Sequence, residues 1–313
     1  MPRGFTFPGQ GSQYVGMGAA LADAFPVARE LLEEVDDALD MRLARLMAEG
    51  PESDLRLTEN AQPALMAASL AVVRVIEKEG GAGIERLCAF VSGHSLGEYA
   101  ALAAAGSLGI ADAARLLRLR GRAMQRAVPV GEGAMAALLG AELETAETVA
   151  REAADGQVCE VANDNATGQV VISGHTAAVE RAIDLAKEKG VRRGVMLPVS
   201  APFHCSLLAP AADAMAEALA SVEVRAPKVP LVANVTAEKA TDPDVIRDLL
   251  VRQVTARVRW RESVLYMKSC GVDTLIEAGA GKVLTGLVRR IDADLAALSV
   301  EGPADVETFL KGL

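Results

Sequence analysis

The chain has 313 residues, 51% hydrophobic and 24% charged, with 32 basic against 42 acidic side chains for a formal net charge of −10. That length leaves room for roughly two domains and for burial of about three quarters of the unfolded surface, so no disulfide or metal staple is needed. The acidic balance, with one Trp, three Tyr and six Phe, excludes the basic, aromatic surface of a nucleic-acid binder, and no apolar run reaches the ~18 residues of a membrane span.

Short apolar runs alternate with stretches of helical period, the pattern of an α/β protein. In chain order, strands are predicted at 4–7, 88–92, 134–139, 158–162, 169–173, 194–199, 230–233, 273–277 and 295–299. Helices are predicted at 61–79, 97–105, 111–127, 143–154, 176–189, 206–220, 243–255 and 281–290, the seventh announced by Thr241-Asp242-Pro243. From 134 to 198 the order is strand, helix, strand, strand, helix, strand, that of a ferredoxin-like module. We therefore expect an inserted subdomain at 130–198 within a larger α/β body of 1–129 and 199–313, with a site in the cleft between them. The first residues have no apolar h-region, so the cytoplasm is the expected compartment. The four cysteines lie far apart with no CxxC pair, as in a reduced, metal-free protein.

Cys88-Ala89-Phe90-Val91 leads into Gly93-His94-Ser95-Leu96-Gly97 and then directly into helical period, so GxSxG falls in a strand-turn-helix context. Ser95 would sit on a tight turn at a helix N-terminus, where free N–H groups favour developing negative charge. A serine hydroxyl needs a base, and only His94, His175 and His204 are available. His94 adjoins the serine and its side chain points away from it on a tight turn; His175 reads as a turn before a helix. His204, on a loop re-entering the larger body, is left as the base. No histidine follows it, unlike the late triad histidine of α/β-hydrolases, so His204 is held either by an acid elsewhere or by a neutral acceptor such as a backbone carbonyl.

In 111–127, at about 100° per residue, Ala113, Leu116, Leu117 and Met124 form one stripe, and Arg120 lies in its middle. A charge on an apolar face is costly unless paired, so Arg120 faces either a buried structural carboxylate or an anionic ligand. Its planar fork suits a carboxylate.

Phe7-Pro8-Gly9-Gln10-Gly11-Ser12-Gln13, Gly93 to Tyr99, Leu119-Arg120-Gly121-Arg122-Ala123-Met124-Gln125, Ala201-Pro202-Phe203-His204 and Arg252-Gln253 together resemble the malonyl-CoA:acyl carrier protein transacylases of fatty acid synthesis, from about residue 4 to beyond 290. The resemblance implies a hydrolase-like large subdomain with a parallel sheet and a ferredoxin-like insertion. It also implies that Ser95 is malonylated by malonyl-CoA, a substrate with no added cofactor, and then attacked by the phosphopantetheine thiol of acyl carrier protein, with His204 as base and acid. The backbone N–H groups of Gln10 and Leu96 would hold the oxyanion, the glycines beside Gln10 permitting close approach to the ester. Arg120 would pair with the malonyl carboxylate, Gln253 would orient His204 through its backbone carbonyl, and Phe203 would exclude an extra methyl group. Asn163 and Asn165 would lie in a loop facing the site. Service to a polyketide synthase is the alternative, followed by a serine thioesterase or esterase, which the position of His204 and the charge of Arg120 disfavour. With no interface motif in sight, a monomer is expected.

Overall fold

The computed structural model describes residues 2–313. Its strands are β1 (Arg3–Phe7), β2 (Phe90–Gly93), β3 (Gly133–Leu139), β4 (Cys159–Ala166), β5 (Gln169–His175), β6 (Arg193–Met196), β7 (Leu231–Val232), β8 (Lys239–Ala240), β9 (Thr274–Ala278) and β10 (Ala296–Val300). Six of them form a sheet of order β10-β9-β1-β2-β7-β8, in which every neighbouring pair is parallel except β7 with β8. Strands β1 and β2 are almost wholly buried, as a parallel sheet covered on both faces requires. Helix Thr58–Gly80 is buried at nearly every position from Ala61 to Ile76 and packs against helices Pro26–Leu39 and Ile110–Ala127. The carboxyl ends of β1 and β2 lie side by side, with Phe7 opposite Gly93. The loops that leave them, carrying Gln10 and Ser95, therefore emerge on one edge, where parallel sheets place their ligands.

The other four strands form an antiparallel sheet of order β4-β5-β3-β6, with helices Leu143–Ala154 and Thr176–Glu188 sharing its own core of Leu138, Val149, Ile172 and Val179. Counting β3 to β6 as first to fourth, the spatial order is that of the ferredoxin-like module. Strand β4 is fastened to the larger body: Val258 N–H donates to Ala162 O at 2.8 Å and Asp164 N–H to Val258 O at 3.0 Å. The buried Asp164 carboxylate also accepts from Arg261 Nε at 3.1 and 3.0 Å.

Most predicted elements are present with shifted ends. Strand β6 stops at Met196, short of the expected 199, because Pro198 has no N–H to offer a ladder. The 206–220 segment splits into a 3₁₀ turn, Ser206–Leu208, and helix Ala209–Ala220, which begins anew with proline in its first turn. Helices Ala19–Ala24, Pro26–Leu39, Leu43–Glu49, Trp260–Ser269 and Pro303–Lys311 were not expected. The first three are pieces broken at Phe25-Pro26 and by the left-handed Asp40; two are only six and seven residues long, whereas Pro26–Leu39 buries Ala28, Leu31, Leu32 and Val35 at helical spacing, a signal the sequence reading missed. Among the described residues no helix is long and apolar enough to cross a membrane.

Candidate active site

Strand β2 ends at Gly93 and the next helix starts at Gly97, leaving Ser95 on the turn with φ 53°, a left-handed conformation that costs a non-glycine residue about 1–3 kcal/mol. The surroundings over-determine it: Ser95 N–H donates to Asn234 Oδ1 at 2.8 Å and Ser95 O accepts from Gln253 Nε2 at 2.9 Å. The flanking glycines are required by backbone contact, since a Cβ on Gly93 would lie 1.9 Å from the Gly97 carbonyl carbon and one on Gly97 2.3 Å from Phe7 O. The glycines beside Gln10 have a different reason from the expected one. A Cβ on Gly9 would meet His94, with Nδ1 and O both at 2.9 Å, whereas Gly11 has open space but φ 105°; one glycine serves packing and the other the turn.

His204, 3% exposed, places Nε2 2.7 Å from Ser95 Oγ and Nδ1 2.9 Å from Gln253 O. A carbonyl can only accept, so Nδ1 carries the proton and Nε2 is the free base that accepts from the serine. Burial first, and then the Arg120 guanidinium, push His204 down to about 3, with the Gln253 hydrogen bond pulling the other way. At neutral pH the ring is therefore uncharged, with Nε2 free to take up a proton.

Arg120 is 1% exposed and meets no carboxylate directly. Nη1 donates to Gln62 Oε1 at 2.9 Å; Nη2 donates to Gln253 Oε1 at 2.8 Å and, more weakly, to Ser95 Oγ at 3.2 Å. Its Nε–H has no partner among the described residues. The buried structural carboxylate considered from the sequence is thus absent from its contacts, and the guanidinium keeps donor capacity beside the nucleophile. Arg122, on the opposite face, pairs with Glu59 at the surface.

These groups line a cleft of about 670 Å3 bounded by both bodies, with Gln10, Ser95, Leu96, Arg120, Phe203 and His204 on its walls. The backbone N–H groups of Gln10 and Leu96 have no acceptor among the described residues, and both residues line the cleft with Ser95. Asn163 and Asn165 also face the cleft. Asn165 Oδ1 lies 2.9 Å from His94 Nε2, and His94 leans on Trp260, so His94 braces the turn against the second sheet. His175 accepts from Val158 N–H at 2.9 Å and serves the turn of that sheet. Sequence reasoning did not single out Gln62, Glu98 or Asn234, all buried. Glu98 carried a usable signal, a charge beside the apolar run Tyr99-Ala100-Ala101-Leu102; Gln62 and Asn234 carried none.

Residues 4–297 match the acyl transferase domain family. The chain is 47% identical over 307 residues, 98% of each protein, to the malonyl CoA-acyl carrier protein transacylase of Escherichia coli strain K12. It superposes with TM-score 0.97 on the acyl-carrier-protein S-malonyltransferase of Bartonella henselae, at 54% identity, covering 100% of this chain and 99% of that one. A malonyl-transacylase solved in complex with its type II polyketide synthase carrier protein superposes with TM-score 0.96 at 43% identity, with both chains fully covered.

Proposed function

We infer the reaction path from one premise, that the chain belongs to the acyl transferase domain family and, within it, to the malonyl-CoA:acyl carrier protein transacylases. It transfers a malonyl group from malonyl-CoA to the thiol of acyl carrier protein for fatty acid synthesis. The observation that carries the assignment of roles is the contact of Ser95 Oγ with His204 Nε2 beside the buried guanidinium of Arg120.

In the first half-reaction Ser95 Oγ attacks the thioester carbonyl while its proton passes to His204 Nε2. Gln10 and Leu96 donate their N–H groups to the oxyanion, each such donor lowering the barrier by about 2.7–4 kcal/mol in comparable sites. Collapse breaks the C–S bond, His204 returns the proton to the CoA sulfur, and malonyl-Ser95 remains. In the second half, the carrier thiol gives its proton to His204 and attacks the ester, and collapse returns the proton to Ser95 Oγ. Gln253 holds the imidazole in the required tautomer without an acid, making a Ser-His dyad.

Arg120 takes the malonyl carboxylate. Acylation turns the Oγ partner of Nη2 into a weakly accepting ester oxygen, and the unpaired Nε–H is already available. A carboxylate there also screens the positive charge that depresses His204, so the substrate strengthens its own base. Phe203, buried against the cleft wall next to His204, leaves little space for a methyl branch on the acyl group. The protein acts as a monomer in the cytoplasm, where CoA esters and carrier proteins meet. Service to a polyketide carrier is the second reading, favoured by the likeness to the polyketide malonyl-transacylase.

With malonyl-CoA and isotopically labelled CoA, and no carrier protein, label is expected to exchange into malonyl-CoA through the malonyl-serine. Release of malonate to water without exchange would instead make the protein a thioesterase.

A further inference from the structure

Glu98 is the charged group near the dyad that the transfer steps leave without a task. It lies in helix Gly97–Ala104 and is 0% exposed. A buried carboxylate is tolerated only with hydrogen bonds or a counter-charge. Both of its hydrogen bonds fall on Oε2, from Gln253 Nε2 at 2.8 Å and Asn234 N–H at 3.1 Å, while Oε1 has no partner among the described residues. Arg120 can only donate, which fixes the Gln253 amide: Oε1 faces Arg120, and Nε2 faces Glu98 and Ser95 O. The same residue's main-chain oxygen accepts from His204 Nδ1. Asn234, the other residue Glu98 holds, accepts from Ser95 N–H and donates from Nδ2 to Gly93 O at 2.7 Å. One carboxylate thus holds the Gln253 side chain and the Asn234 main chain, the two residues that fix the nucleophile turn and the base.

We propose that Glu98, in its ionised form, is a positioning residue of malonyl transfer, holding Gln253 between Arg120 and the Ser95 turn so that the Gln253 carbonyl stays on His204. The inference rests on the transfer reading above. The negative charge of Glu98 also offsets the guanidinium that weakens His204, and it competes with the incoming malonyl carboxylate for that same guanidinium. Loss of the charge should therefore slow the chemistry without weakening substrate binding. The titratable groups acting on Glu98 are Arg120, from helix Ile110–Ala127, and Tyr99 on its own helix. Burial raises the carboxyl to about 7, against the pull of Gln253, Asn234 and Arg120. His204 titrates far below this, so the two acid limbs are separable.

The experiment is acylation of Ser95 by the malonyl thioester of N-acetylcysteamine, which has no phosphate to titrate, followed by mass across a pH series and a thioester concentration series. These give the limiting acylation rate as kcat and the half-saturating concentration as KM for this half-reaction. In the wild-type protein the acylation rate should fall as pH drops through about 7. Glu98→Gln should lower kcat by about 10- to 100-fold, the worth of one charge-assisted hydrogen bond, leave KM unchanged or lower, and abolish that limb. Glu98→Asp should keep the limb and recover part of the rate. A rise in KM at unchanged kcat, or a limb that persists in Glu98→Gln, would overturn the proposal. Should Glu98→Gln fail to fold, a wild-type rate flat through about pH 7 overturns it as well. Absence of any Ser95 adduct in the wild-type protein would instead overturn the transfer reading.

Discussion

Replacing Ser95 by alanine is expected to lower malonyl transfer to acyl carrier protein by about a million-fold, the loss seen when the nucleophile of a serine enzyme is removed. His204→Ala should lose a similar factor, and the double variant little more than either, because the two act as one unit across a 2.7 Å contact. Neither change should unfold the chain. Alanine bears the φ of 53° at position 95 no worse than serine does, and the bonds that hold the turn, from Ser95 N–H and to Ser95 O, are main-chain. Initial rates with carrier protein, on variants whose circular dichroism matches the parent, measure the loss. A fall of only about tenfold in Ser95→Ala, far below the scale of a lost nucleophile, would remove Ser95 from the chemistry.

Arg120→Ala is expected to impair malonyl transfer selectively. Removing one member of a buried charge pair costs about 2–5 kcal/mol, or roughly 30- to 5,000-fold in kcat/KM, and that penalty applies only to a substrate with a carboxylate. Acetyl transfer should be spared or faster, since the guanidinium that depresses His204 is gone. The ratio of kcat/KM for malonyl-CoA and acetyl-CoA is the measurement. Equal losses on both substrates would mean that Arg120 only props Gln62 and Gln253.

The parts of the site legible in the sequence are those governed by local rules. Gly93 is demanded by a backbone contact with Gly97 inside the turn itself, and Gly97 by the carbonyl of Phe7 on the neighbouring strand; both fall at fixed spacing from Ser95, so the turn could be read from the motif. Arg120 stood out because helical period placed a charge on an apolar stripe, and His204 because so few histidines compete with it. Glu98 offered a different signal, a charge beside an apolar run, because its helix is buried at every position from Gly97 to Leu102 and has no stripe for a period argument to use. Asn234 and Gln62 were not legible. Asn234 reaches Ser95 only because β7 pairs with β2, and Gln62 reaches Arg120 only because two helices pack; both facts belong to long-range topology. The second sheet was readable because its strands alternate with helices in one continuous segment. The large sheet's order, which brings β9 from the end of the chain beside β1 with β10 outside it, has no local signature.

The central claim is that Ser95 carries the malonyl group between two thiols. Intact mass and peptide mapping after mixing with malonyl-CoA should show one malonyl adduct on Ser95, discharged much faster by the phosphopantetheine thiol of acyl carrier protein than by water. No adduct on Ser95, or discharge at the same rate with and without the carrier, would contradict it.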